Sequence, residues 1–233
     1  MKCAIMQPHF LPWSGYFNLV ASVDIFVFLD DVQFEKQSWQ TRNRILLDGN
    51  VHTLSVPIKR GPLAQQIREV MTNEDHRNWR ERHLKTLENA YRKTLSGREI
   101  IDLLRELFGR ARPVHLADLN TNIVKAFSKE IGLQAMFLKT SELTIRSQDR
   151  TGRLIEICEL LGATSYLAPV GSAEYLKKDN FSSRTSTKVE YQQFSCAMYP
   201  QIGVHEFQSH LSIVDLCANV GFDRAKDLIV LGK

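Results

Sequence analysis

Residues 2–45 read KCAIMQPHFLPWSGYFNLVASVDIFVFLDDVQFEKQSWQTRNRI, and this stretch decides the fold. Cys3-Ala-Ile-Met6 is a short run with no polar face, as a buried parallel strand requires. Gln7-Pro8 ends it, and Pro12 keeps the next residues out of a helix. A helix is expected with Ser14 as N-cap and Phe17, Val20 and Ala21 turned inward. Ile25-Phe-Val-Phe-Leu29 is a second strand, again apolar on both faces. Strand, helix and strand within about 30 residues make a right-handed βαβ unit the economical arrangement.

A dense polar cluster follows the second strand: Asp30, Asp31, Gln33, Lys36, Trp39, Arg42, Asn43 and Arg44. Ligands of open α/β sheets bind beyond the carboxyl ends of strands, and a solvated loop needs no such mixture of groups. The cluster therefore reads as a site; its structural alternative is a polar network tying a hairpin to the sheet. By topology Gln7, His9, Trp13 and Tyr16 hang nearby, at the top of the first strand. Asp30 or Asp31 is placed to position a magnesium ion or act as general base. Lys36, Arg42 and Arg44 suit a phosphate or carboxylate, with Lys36 a candidate to stabilise charge in a transition state. Gln7, Gln33 and Asn43 offer amide contacts, and Trp13, Tyr16 and Trp39 offer stacking surfaces for a sugar or base. His9 is the proton-transfer candidate, on the expectation that it titrates near neutral pH. Its alternative is a turn histidine bonded to backbone.

Outward from this unit, Arg44-Ile-Leu-Leu and Val51-His-Thr-Leu-Ser-Val flank Asp48-Gly49-Asn50, a hairpin signal. Lys59-Arg60-Gly61-Pro62 reads as a mobile basic loop, a solvated turn or a phosphate contact. Residues 73–112 form a helical insertion in one α/β domain spanning 1–233, an αα-hairpin placed to act as a lid. Its stripes are Trp79, His83, Leu84, Leu87, Tyr91 and then Ile100, Leu103, Leu104, Leu107, Phe108. His76 and His83 share a face but are too few for a metal site. Helices are expected over Leu116–Ile131 with Gly132 as the stop, and from Asp149 as cap to Gly162. Strands are expected at Ala135–Leu138, Ser165–Ala168 and around Val189. Pro169-Val-Gly-Ser172 turns into a helix carrying Tyr175, a possible anion cradle in which Ser172 and Tyr175 contact substrate. Phe181–Thr187 reads as polar and flexible, and Leu211–Asn219 as a closing helix ended by Gly221. Ser212 and Asp215 there are explained by an N-cap and a first-turn carboxylate. The fold class is α/β, Rossmann-like, with a mainly parallel sheet, an inserted helical hairpin and a β-hairpin.

The 233 residues are 43% hydrophobic and 24% charged, enough to bury one large core. Thirty basic and 26 acidic residues are interspersed, for a net charge of +4, which gives no nucleic-acid signature. The partner expected is a small molecule. Cysteines 3, 158, 196 and 217 are spaced neither as a zinc knuckle nor as a redox pair, so buried free thiols and a cytoplasmic setting are expected. No secretory or membrane-spanning run is legible.

QPHFLPWSGYF at 7–17, VDIFVFLDDVQFEKQSWQTRNRI at 23–45 and LSVPIK at 54–59 together resemble the WbqC-like family of bacterial proteins. LGATSYL at 161–167, GSAEYL at 171–176, and YPQ at 199–201 leading into LSIVDLCANVG at 211–221 resemble its later blocks. The chain departs from the pattern at Ala168-Pro169-Val170, where a more Gly-rich turn is expected. The resemblance implies a role in lipopolysaccharide O-antigen biosynthesis, as a transferase moving glycine or another small acyl group to an amino sugar. A nucleotide-activated amino sugar is then the expected substrate. A non-catalytic nucleotide-sugar-binding or scaffold protein is the alternative. The opening βαβ unit is also similar to pantothenate synthetases and other class I-type nucleotidyl transferases, which would imply ATP and Mg2+. The paired histidines of those enzymes are missing from Pro12-Trp13-Ser14-Gly15-Tyr16.

Overall fold

The structure, a computed structural model, describes residues 1–76, 78–109 and 114–232. Five parallel strands form the central sheet: β1 (Lys2–Met6), β2 (Ile25–Phe28), β5 (Met136–Lys139), β6 (Ser165–Ala168) and β7 (Lys188–Tyr191). Their order is β5-β2-β1-β6-β7, so the chain steps outward on one side of β1 and returns to the other through β6. The sheet is wholly parallel, where the sequence promised only a mainly parallel one.

The two-residue period of a strand divides the core in two. Cys3, Ile5, Ile25 and Val27 face α5 (Arg150–Leu160), α6 (Ala173–Lys178) and α7 (Phe181–Arg184) through Leu154, Ile157, Leu176 and Phe181. Ala4, Phe26 and Phe28 face the opposite cluster. That cluster is built by α1 (Ser14–Ala21), α4 (Leu116–Ile131) and α8 (Ile213–Val230) through Phe17, Val20, Phe127 and Val214. Phe26 and Phe28 are fully buried, and each contributes roughly 2 kcal/mol of hydrophobic stabilisation. Burial on both faces is why β1 and β2 lack alternation in the sequence.

The hairpin of β3 (Arg42–Leu47) and β4 (Asn50–Ser55) is a separate antiparallel pair. Asp48 (φ 50°) and Gly49 (φ 75°) both adopt the left-handed conformation its two-residue turn requires. A Cβ on Gly49 would also stand 2.3 Å from the Gly203 carbonyl oxygen.

Three local expectations are corrected. Trp13, not Ser14, occupies the N-cap of α1; Ser14 is the first helical residue and its hydroxyl turns to the Cys196 sulfur at 3.6 Å. The helical hairpin of α2 (Trp79–Tyr91) and α3 (Gly97–Gly109) is no free lid, because Leu87, Tyr91, Ile100 and Leu104 are buried in the same cluster as Phe17 and Phe26. The end of that insertion, 110–112, lies outside the described residues. Phe181–Arg184 is helical rather than loose, anchored by the buried Phe181 ring 5.8 Å from Tyr166. As expected, the helix that starts at Ile213 is interrupted at Gly221 (φ 78°, ψ 167°), which is not helical; a second helical segment follows it in α8, with Ala225 and Ile229 buried.

Candidate functional site

Strand order reverses between β1 and β6, and in open α/β sheets the crevice at such a point receives the ligand. Here the carboxyl ends of β1, β2 and β6 open into a cleft of about 840 Å³. Its floor is Ile5, Met6 and Tyr166. One wall is the loop after β2, where Asp31, Gln33 and Glu35 line the cleft beside Gln66. This loop is held in shape by strand-like bonds: Phe34 N donates to Gln65 O at 2.8 Å and Ile67 N to Val32 O at 3.0 Å. The opposite wall is the first turn of α5, with Arg150 and Arg153, together with Ser172 and Tyr175 after β6.

Asp149 caps α5 by accepting from Gly152 N at 2.6 Å, which fixes where the two arginines emerge. Arg153 Nη2 meets Asp31 Oδ2 at 2.6 Å, and Asp31 Oδ1 accepts from the Thr140 hydroxyl at 2.6 Å. Arg150 lies 3.5 Å from the centroid of the Tyr175 ring, a cation–π contact, and no carboxylate pairs with it among the described residues. Burial pushes the Tyr175 phenol up, so it stays protonated at neutral pH. The Ser172 hydroxyl donates to the Pro169 carbonyl oxygen at 2.6 Å.

Five residues expected from the sequence thus meet in the cleft: Gln7, Asp31, Gln33, Ser172 and Tyr175. The others stand elsewhere. Asp30 is buried, and its carboxylate accepts from Ser141 N at 2.9 Å and Ser141 Oγ at 2.6 Å, with the Thr140 hydroxyl 3.1 Å away. A magnesium ion at Asp30 would need carboxylate oxygens that these donors already engage. Among the described residues no three His, Cys, Asp or Glu side chains converge as a metal site. His9 packs its ring 5.4 Å from that of Tyr16, and burial lowers its pKa to about 4. The expectation that His9 titrates near neutrality does not hold. Tyr16 is buried and donates to the Gln7 carbonyl oxygen at 3.0 Å, while Asn43 Nδ2 donates to the Phe10 carbonyl oxygen at 3.0 Å. Trp13 packs against His210 in a tilted pair with ring centroids 4.5 Å apart, Arg44 sits over Trp39 at 5.5 Å, and neither pair lines the cleft. Lys36 is exposed and Arg42 half-buried, also outside its wall.

Sequence reading missed Arg150, Arg153, Gln148, Gln66 and Glu35. Two arginines three apart on a helix look like a solvated face; only the crossover of α5 against β1 and β2 brings Arg153 to Asp31 and Arg150 into the same cleft.

A smaller cavity of about 440 Å³ lies between the Asp48-Gly49 turn, the end of α2 and α8. Its buried Asp215 accepts from Tyr91 Oη and Tyr199 Oη, each at 2.8 Å, and from Gln201 Nε2 at 3.0 Å. The carboxylate is a junction of three segments rather than a helix-surface charge.

The fold is that of a parallel α/β protein with an open cleft at its topological switch point. The WbqC-like protein family model matches residues 7–227, and the chain belongs to that family. It is 29% identical over 221 residues to an uncharacterized protein of Mycobacterium tuberculosis, Rv1507c, covering 94% of each chain. No solved structure matches. Among the described residues no helix is long and apolar enough to cross a membrane.

Proposed function

We propose that the protein is a transferase that binds a nucleotide-activated amino sugar in the switch-point cleft and places glycine or another small acyl group on its amine. Membership of the WbqC-like family suggests O-antigen biosynthesis as the setting. The observation that carries the reading is the mixed charge of the cleft. Asp31 and Arg153 neutralise each other, leaving Arg150 for an anionic group and Glu35 for a donor-bearing one. An amino sugar linked to a phosphate presents both. In the transfer the amine nitrogen forms a bond to the acyl carbon, the bond from that carbon to the donor's leaving group breaks, and the amine proton passes to a carboxylate. Glu35 lines the cleft with no side-chain partner among the described residues, so it is the first candidate for that proton; Asp31 holds the wall. Mass spectrometry of UDP-amino sugars incubated with the protein and activated acyl donors tests the reading. A product heavier by the acyl group, lost in Glu35→Gln, supports it; no product with any donor of the panel argues against it.

The engagement of both Asp31 oxygens and the low pKa of His9 favour a second reading, a nucleotide-sugar-binding protein without turnover. It predicts binding with no mass change. Nucleotidyl transfer with ATP and Mg2+ is less suited to a site whose Asp30 is sealed.

A further inference from the structure

Gln7 reaches the cleft from the end of β1, and the orientation of its amide is set by a residue outside the wall. Gln40 is fully buried, and its Nε2 donates to Gln7 Oε1 at 2.9 Å. An amide can be turned over without changing its shape, so the direction of this bond needs a fixed reference. The Glu35 backbone N–H supplies one: it donates to Gln40 Oε1 at 3.4 Å, and a backbone N–H is never an acceptor. Gln40 must therefore present its NH2 to Gln7, and Gln7 must answer with its carbonyl oxygen. Gln7 lines the cleft, and its Nε2 then has no protein acceptor among the described residues. The frame is rigid as well as polar. Asn120, fully buried on α4, donates through Nδ2 to the Pro8 carbonyl oxygen at 3.0 Å and to the Gln40 carbonyl oxygen at 2.8 Å. One side chain thus clamps together the two loops that carry Gln7 and Gln40.

We infer that Gln7 Nε2 and Arg150 form a donor-only subsite for the phosphoryl group of the substrate, with Gln40 as the positioning residue that fixes Gln7 in the donor sense. This deepens the proposed function and rests on its placement of substrate in the cleft. A phosphoryl oxygen only accepts hydrogen bonds, so a wall of fixed donors selects it over hydroxyl-bearing or cationic groups.

Gln7→Glu is the informative substitution. It has the same shape, keeps an oxygen for Gln40 Nε2, and changes only the cleft-facing atom from donor to anionic acceptor. Calorimetric titration with UDP and with inorganic pyrophosphate, and uridine as the uncharged control, should show both phosphates binding the wild-type protein and uridine more weakly. Gln7→Glu should weaken the phosphates by roughly ten- to a hundredfold and leave uridine unchanged. Arg150→Ala, at an exposed position, should do the same without touching the Gln7–Gln40 frame. In nitrogen-resolved NMR the Gln7 side-chain NH2 signals, assigned by their absence in Gln7→Glu, should move on adding pyrophosphate. In Gln40→Glu, where a carboxylate accepts from both Glu35 N–H and Gln7, that movement should vanish even if the fold is retained. Phosphates that bind equally to wild type and Gln7→Glu, or a Gln7 amide that stays still while they bind, overturn the inference. So does the failure of both phosphates to bind, including in the case where acyl transfer is observed. Phosphate binding through Gln7 with no acyl transfer upholds the subsite and removes the transferase reading alone.

Discussion

Arg153 Nη2 stands 2.6 Å from Asp31 Oδ2, joining α5 to the loop after β2 across 122 residues of chain. The side chains are only 16% and 15% exposed, so each charge depends on the other for its compensation. Asp31→Ala strands a largely buried guanidinium and should cost about 3 kcal/mol in denaturant unfolding. Replacing both residues by leucine should recover most of that loss, since a matched apolar pair avoids desolvating two ions. A double variant less stable than the sum of the two singles would contradict this account of the bridge.

His9 should be neutral across the physiological range. Burial lowers its folded pKa from 6.5 to about 4, so between those values the unfolded chain binds more protons than the folded one. Stability should therefore fall as pH drops from 6.5 toward 4, and His9→Gln should lose that part of the slope. The C–H resonances of the His9 ring, followed by NMR, would give its midpoint directly; a midpoint near 6.5 would restore it as a proton-transfer candidate.

Asp215 carries the opposite sign. Burial raises its pKa above the usual 3.8, outweighing the hydrogen bonds from Tyr199, Tyr91 and Gln201 that lower it. The folded state then holds a proton that the unfolded state has lost. From about pH 4 up through the raised value the wild type should lose stability relative to Asp215→Asn, whose curve lacks this component. Unfolding midpoints of the two proteins at several pH values test the sign; a gap that is constant with pH would contradict it.

The sheet was legible because β1, β2 and β6 are short apolar runs bounded by turn residues, and the Asp48-Gly49 hairpin because its chemistry is local. Gly132 and Asp149 likewise announced the end of α4 and the start of α5. What local pattern could not reveal was which polar residues share a space. Asp30 and Asp31 are adjacent in sequence and both reach the Thr140 hydroxyl, yet one is buried against Ser141 and the other pairs with Arg153. Arg150 and Arg153 belong to the cleft only through the crossover that carries α5 over β1, and Glu35 through the path of the loop after β2. The role of Asp215 was hidden for the same reason, since Tyr91 lies 124 residues away along the chain.

The central claim is that the switch-point cleft is where an amino-sugar nucleotide binds. The most direct test is thermal unfolding of the wild type and Arg150→Ala in the presence of a UDP-linked amino sugar. A ligand that binds only the folded protein stabilises it by mass action, about 2.7 kcal/mol at a hundredfold excess over its dissociation constant. The account predicts a rise in the unfolding temperature of the wild type that grows with ligand concentration and is much reduced in Arg150→Ala. No rise in the wild type, or an equal rise in both proteins, would contradict it.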